Sequence, residues 1–197
     1  MAISVVPANN ATWDDLQTIF GSRGAPAKCQ CQRIKLGDGA WWHMPREERA
    51  HRLREDTDCG HPESDRTSGL VAYLDGEPVG WCAVEPRTAY RRLLGSPVPW
   101  TDRDEDRADD SFWAVTCFVV RAGFRGRRIT YDLAAAAADY ARSRGARAVE
   151  GYPMVRQPGQ EISWGEVNVG TRNVFAAAGF VEVSRPTKRR VVMRLDF

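Results

Sequence analysis

No stretch of the 197 residues stays apolar for anything like the length of a membrane span. The N-terminus also lacks a basic cluster followed by an apolar run. Neither secretion nor membrane insertion is therefore expected, and the sequence reads as cytoplasmic. Charge of one sign is not in excess either. Twenty-eight Lys and Arg against 26 Asp and Glu leave +2, too even for a general binder of nucleic acid or of a membrane surface. Internal repeats and low-complexity linkers are missing, so residues 1–197 read as a single domain with chain enough for a sizeable core. Cysteine is sparse and odd in number, five, which suits reduced thiols rather than a disulfide framework. Cys29-x-Cys31 with Cys59-x-His61 offers four soft ligands, but the one-residue spacers miss the spacing of structural zinc sites, and no metal is expected.

What charge there is clusters locally. Residues 112–120 are apolar on both alternating faces, the pattern of a strand covered on both sides of its sheet. Ile129, Leu133, Ala136, Ala137 and Tyr140 recur at helical spacing and predict a helix that buries one stripe. Arg142-Ser143-Arg144 and then Gly145 end it, cations in the last turn followed by a glycine. Between strand and helix stand Arg121, Arg125, Arg127 and Arg128 with Gly123 and Gly126. Unpaired N–H groups at a helix start, ringed by guanidinium, make an anion site, and phosphate is the expected guest. Residues 146–152 predict a second, parallel strand that completes a βαβ unit.

The run Val120-x-x-x-x-Arg125-Gly126-Arg127-Arg128-Ile129-Thr130 resembles the acetyl-CoA signature of the GNAT acetyltransferase superfamily, Arg/Gln-x-x-Gly-x-Gly/Ala. Downstream, Asn168-Val169-Gly170-Thr171-Arg172-Asn173-Val174-Phe175-Ala176-Ala177-Ala178-Gly179-Phe180 is similar to the family's later helix, Asn-x-x-Ala-x-x-Leu-Tyr-x-x-x-Gly-Phe. The resemblance runs from about residue 68 to the C-terminus. It implies an α/β (α+β) fold, a mixed twisted central sheet of six or seven strands flanked by helices, with parallel central strands that splay apart. It also implies acetyl-CoA as acyl donor and an amine as acceptor, with no nucleic-acid or membrane partner; a homodimer stays open. The cofactor site so implied comprises Phe118, Val119, Val120, Arg125, Gly126, Arg127, Arg128, Ile129 and Thr130, joined by Asn168 and Phe175. A backbone N–H near residues 118–120 is the implied donor to the thioester oxygen as it becomes an oxyanion.

Departures from the family pattern are informative. Arg128 stands where a glycine is expected and Thr130 where Gly or Ala is expected. The guanidinium either clamps the phosphates or crowds the turn; a helical backbone there would not itself require glycine. Phe175 replaces the tyrosine that often protonates the leaving thiolate, which leaves Tyr152 and Tyr131 as the nearest substitutes. A general base must deprotonate the amine. Glu150, at the end of the parallel strand, is the first choice and Glu85, closing a hairpin strand, the second; Glu161, Glu166 and Asp110 follow. Each also reads as a surface or ion-paired carboxylate.

The remaining chain frames this centre. Thr12 caps a helix carrying Trp13, Leu16, Ile19 and Phe20 inward, after a first strand at residues 3–6. Residues 25–67 read as a variable helix-loop arm beside the core, the expected acceptor side, with a helix from Pro45 through Arg54. Residues 70–74 and 79–85 form a hairpin about Asp75-Gly76. The acidic run 101–110 reads as a solvated loop that could also recruit a cationic acceptor. Trp41, Trp42, Trp100 and Trp164 fall in loops, either as aromatic walls for a cationic or flat acceptor or as pins for the loops themselves. A last helix capped by Asn168 and a closing pair at 180–183 and 190–195 complete the chain. The expected activity is acetyl transfer from acetyl-CoA to the primary amine of a small molecule by direct attack on the thioester. Two alternatives are a GNAT-like domain that binds acyl-CoA without turnover and an acetyltransferase of protein lysines.

Overall fold

The computed structural model describes residues 2–155, 159 and 168–197. Strand β1 (Ile3–Pro7) leads to helix α1 (Trp13–Phe20). A reciprocal box opens that helix: the Thr12 hydroxyl accepts from the Asp15 N–H at 3.1 Å, and the Asp15 carboxylate accepts from the Thr12 N–H at 3.1 Å. Four helices then build the arm: α2 (Gly24–Cys29), α3 (Gln32–Lys35), α4 (Asp38–His43) and α5 (Arg46–Thr57). Helix α5 starts behind Pro45 as expected and runs one turn further, burying Leu53 and Thr57.

Strands β2 (Gly69–Leu74) and β3 (Glu77–Pro86) form the expected hairpin, with Asp75 and Gly76 both at positive φ in its turn. After the short helix α6 (Arg91–Gly95) come β4 (Phe112–Val120), α7 (Ile129–Ser143) and β5 (Ala148–Gly151). Helix α8 (Arg172–Ala177) and strands β6 (Val181–Thr187) and β7 (Arg190–Asp196) close the chain. Together they make a seven-stranded mixed sheet in the order β1-β2-β3-β4-β5-β7-β6. Every neighbouring pair is antiparallel except β4–β5.

The apolar character of both faces of β4 has a direct cause. On one face Val115 and Phe118 join Leu70, Cys82 and Val84 beneath Ile129, Leu133, Ala137 and Ala141 of α7. On the other, Val119 joins Val71, Trp81 and Ala83 beneath Leu16, Ile19 and Phe20 of α1 and Leu53 of α5. Seating α7 so close needs a missing side chain, because a Cβ on Gly80 would sit 2.8 Å from Ile129 Cγ2 and 3.1 Å from Leu133 Cδ1.

Two local expectations are corrected. Thr171, not Asn168, caps α8, its hydroxyl accepting from the Val174 N–H at 3.4 Å. Asn168 instead turns its carbonyl toward β4. Strand β6 also extends to Thr187, so the final turn is tighter than the alternation of apolar residues implies. No helix among the described residues is long and apolar enough to cross a membrane.

Replacing Gly80 by alanine overpacks the contact that seats the first turn of α7. We expect a loss of about 1–3 kcal/mol in chemical denaturation; an unchanged midpoint would show that α7 can shift without cost.

Candidate active site

The parallel pairing of β4 with β5 is short. It runs from Phe112 opposite Ala148 to Val115 opposite Gly151 and stops. Thr116 then has no partner on β3, because Val84 faces Val115 while Ala83 faces Cys117. Past this bulge the Arg121 N–H donates to the Val79 carbonyl at 3.0 Å, so odd-numbered amides face β3. By strand alternation Phe118 and Val120 point their N–H groups to the other side, where β5 has ended. The Phe118 N–H donates to the Asn168 carbonyl at 2.6 Å. The Val120 N–H lies one pleat further along the same edge.

Phe175 holds that gap open. Its ring is fully buried against Phe118 and Phe180, with centroids 5.9 and 5.2 Å apart. A Cβ at Gly151 would overlap the ring, and one at Gly170 would lie 2.7 Å from it. Phe175 is thus a wedge at the end of β5 and has no proton to offer a thiolate.

Beyond Val120 a single 3-10 turn, residues 122–124, leads into α7. Gly126 and Arg128 both take positive φ, +79° and +64°. The expectation that position 128 needs only a helical backbone is therefore corrected. The chain must reverse here to enter α7, and a left-handed arginine costs about 1–2 kcal/mol that a glycine would not. No side chain caps α7, so its first N–H groups face outward. They border a cavity of about 450 Å³ lined by Phe118, Val119, Val120, Arg125, Gly126, Arg128, Ile129, Thr130 and Asn168. The Arg128 guanidinium lies over the Tyr131 ring at 4.2 Å, at the wall of the cavity. Arg127 packs over Phe124 at 5.3 Å. Arg121 is bound elsewhere, to the Glu77 carboxylate at 2.7 Å and the Pro78 carbonyl at 2.8 Å.

The two leading carboxylates have different surroundings. Glu150 is 0% exposed, ion-paired to Arg87 at 3.2 Å, to Arg194 at 3.8 Å and to Arg103. Its remaining partner is the Tyr152 hydroxyl, which donates to it at 2.8 Å. Burial, with Glu150 beside it, pushes the Tyr152 phenol well above its usual range. A buried carboxylate is tolerable only with partners such as these, and here they tie the end of β5 to the rest of the sheet. The acidic run 101–110 is not simply solvated either, because Arg103 and Glu105 turn inward to this cluster. Burial alone would raise Glu105, yet its hydrogen bonds from Arg103, Arg87 and Arg194 bring it down to about 2. None of this was legible in a run of alternating charges.

Glu85 lies on the arm face of β3. Burial pushes its carboxyl up to about 7, against the pull of Lys35, whose ammonium sits 2.8 Å away; Asp56, which also pairs with Lys35, adds to the rise. The Tyr90 hydroxyl nearby is buried without a hydrogen-bond partner among the described residues, and burial, with the charge of Glu85, pushes its phenol well above the usual range. Lys35, Asp56, Tyr90 and Thr116 carry no motif, and only contact brings them together. Asp110 is exposed ahead of β4, and Glu161, Glu166 and Trp164 lie outside the described residues.

Thr116 also borders a second cavity, of about 380 Å³, between the arm and the splayed strands. Cys29, Cys31 and Cys117 line it with Trp41 and Asn168, and Asn168 lines the first cavity too. Burial and the neighbouring Cys31 push the Cys29 thiol up to about 11, and Cys117 is likewise held well above its usual range. Trp41 is the one of the four loop tryptophans that borders this cavity among the described residues. Its ring already carries Arg49 at 4.5 Å and Arg33 at 5.6 Å. Trp42 is 67% exposed, and Trp100 is a pin, donating to the Leu93 carbonyl at 2.9 Å.

Because the tip of Phe175 faces Gly151 in a filled space, Phe175→Tyr places a hydroxyl where there is no room. We expect about 1–3 kcal/mol of destabilisation and no gain in turnover. A faster variant of unchanged stability would contradict the wedge.

The acetyltransferase (GNAT) family model matches residues 35–154, which takes in part of the arm, the bulged strand and the arginine-rich turn. No curated protein matches the chain. Among solved structures, the PaiA N-acetyltransferase of Thermoplasma acidophilum, in complex with coenzyme A, is similar over 100% of both chains, with a TM-score of 0.55 and 13% identity. An N-acetyltransferase from Staphylococcus aureus Mu50 aligns over 100% of this chain and 99% of its own, at 0.54 and 12%. The yncA protein of Salmonella typhimurium, with its cofactor acetyl-CoA, aligns over 100% of this chain and 94% of its own, at 0.54 and 14%. Likeness at such identities is one of fold. The family match spans more than half of the chain and includes the turn that begins α7: the chain belongs to the acetyltransferase (GNAT) family.

Proposed function

We propose that the protein transfers the acetyl group of acetyl-CoA to the primary amine of a small molecule by direct attack on the thioester. The observation that carries this reading is the uncapped N-terminus of α7 meeting the open edge of β4 in one cavity. The residues fit the donor. Amides of Ile129 and Thr130, with the guanidinium groups of Arg125 and Arg128, suit a diphosphate. The Val120 N–H suits a carbonyl, since the matching donor on Phe118 is already committed to Asn168. Acetyl-CoA supplies the activated acyl group.

The amine arrives from the arm-side cavity and must first be neutral to attack. In this reading Glu85 is the base, not Glu150, because its carboxyl near 7 can both take and give up a proton at neutral pH. Glu85 does not itself border the cavity, whereas Thr116 does, and the buried Tyr90 hydroxyl beside them has no hydrogen-bond partner among the described residues; in this reading those two hydroxyls reorient to relay the proton. The new C–N bond forms as the C–S bond breaks. The thiolate leaves with its electron pair, and the amine's proton remains with Glu85. Binding without turnover finds support in Phe175, but a thiolate that leaves as an anion needs no tyrosine. Steering of a protein lysine by the acidic run is weakened by the inward turn of Glu105.

With a base of this pKa, kcat/KM should rise as pH climbs through about 7, as Glu85 ionises, and then level off. Glu85→Gln should remove that limb and lower kcat/KM about 100-fold or more while acetyl-CoA binding is kept. A retained limb in the variant assigns the base elsewhere. Arg125→Ala and Arg128→Ala should each weaken acetyl-CoA binding by about 1.5–3 kcal/mol in calorimetry. Unchanged affinity in both would remove the turn from the cofactor site.

A further inference from the structure

Among the described residues, the charged side chains that line the arm-side cavity are of one sign. Lys28, Arg33, Arg92 and Arg190 line it, and no carboxylate lines it among the described residues. Two thiols on the same wall add no negative charge to offset this: burial raises the pKa of Cys29, and a hydrogen bond with Cys31, together with burial, raises that of Cys117. Arg190 is fixed in place by the Tyr152 carbonyl, to which its guanidinium donates at 2.8 Å, and Arg33 is braced over the Trp41 ring. The Trp41 indole N–H is buried without a hydrogen-bond partner among the described residues, a donor in want of an acceptor. A wall of donors and cations repels an alkylammonium and attracts an anion.

We propose that the acceptor is a small amine that also carries an anionic group, a carboxylate or a phosphate, held by Arg33 and its cationic neighbours. Resting on the transferase reading, this names its substrate class. The charge pattern serves the chemistry as well as the binding. Cations near an amine disfavour its protonated form, so the wall that holds the anion also lowers the pKa of the attacking nitrogen. Polyamines and lysine-bearing surfaces are disfavoured by the same wall. A cationic acceptor, one of the alternatives open from the loop tryptophans and the acidic run, is disfavoured in this reading, because Trp41 is already covered by the protein's own arginines and Glu105 is consumed internally.

The test uses the purified full chain and matched amine pairs: α-amino and ω-amino carboxylates and aminoalkyl phosphates, each beside the amine that lacks the anion. Thiol release from acetyl-CoA reports transfer, and calorimetry with each amine alone and with acetyl-CoA alone reports binding. We expect the anionic member of a pair to have kcat/KM about tenfold or more above its partner, mostly through KM, the worth of one charge-assisted contact. Arg33→Gln should narrow that ratio several-fold, and added salt should narrow it too. Carboxylates and phosphates are compared directly, so the better anion is read from the same panel. Equal handling of both members, or preference for the amine without an anion, overturns the proposal while acetyl-CoA binding stands. Binding of anionic amines without acetyl-CoA binding would instead uphold the cavity's preference and overturn the transferase reading.

Discussion

The structure depends on a pairing that stops early. Parallel strands β4 and β5 hydrogen-bond over four residue pairs and then part, and the buried ring of Phe175 keeps them apart. Backbone donors on a central strand are ordinarily used up by the neighbouring strand, since an unpaired buried amide is costly. Here the edge past Thr116 is available to a ligand, and Asn168 covers only its first donor. Both cavities meet at that edge. The turn into α7 lies at one end of it and the arm lies across it. Filling the gap with a longer β5 would add sheet and abolish the site.

A second constraint holds the frame around this gap. Glu150 ties β5 to three arginines from the segment after β3, the acidic run and β7, with Glu105 sharing the same cations. Burying this much charge is tolerable only where each group has partners. The cluster therefore fixes where β5 ends and where the acidic run turns back. On the same face of the sheet, Glu85 has one cation and a competing carboxylate and stays near its titration point. Both carboxylates are largely buried, and they differ in how many cations face them.

Most of the fold could be read before any coordinates. Apolar residues on both faces of 112–120, the helical stripe from Ile129 and the Asp75-Gly76 turn each express a local rule, and each element lies where its rule puts it. The arginine-rich turn was equally legible as a connection, because strand, turn and helix follow one another in sequence. What escaped was long-range. The three arginines around Glu150 arrive from elsewhere in the chain, and nothing at that strand end announces them. Lys35, Asp56 and Tyr90 surround Glu85 from the arm and from α6, where no periodicity announces them. The left-handed backbone at Arg128 was hidden for another reason: a residue type that disfavours a conformation gives no sign that it adopts it.

The thiols of the arm-side cavity have a consequence of their own. A thioester delivered beside a reactive cysteine can exchange its acyl group and block the pocket by acylating the wall. With its pKa near 11, Cys29 is ionised to only roughly one part in ten thousand at neutral pH, and Cys117 too is held well above the usual thiol range. Cys29 and Cys117 can therefore supply an adaptable, apolar lining without competing as nucleophiles. Burial protects the pocket from self-modification by the very donor it is built beside.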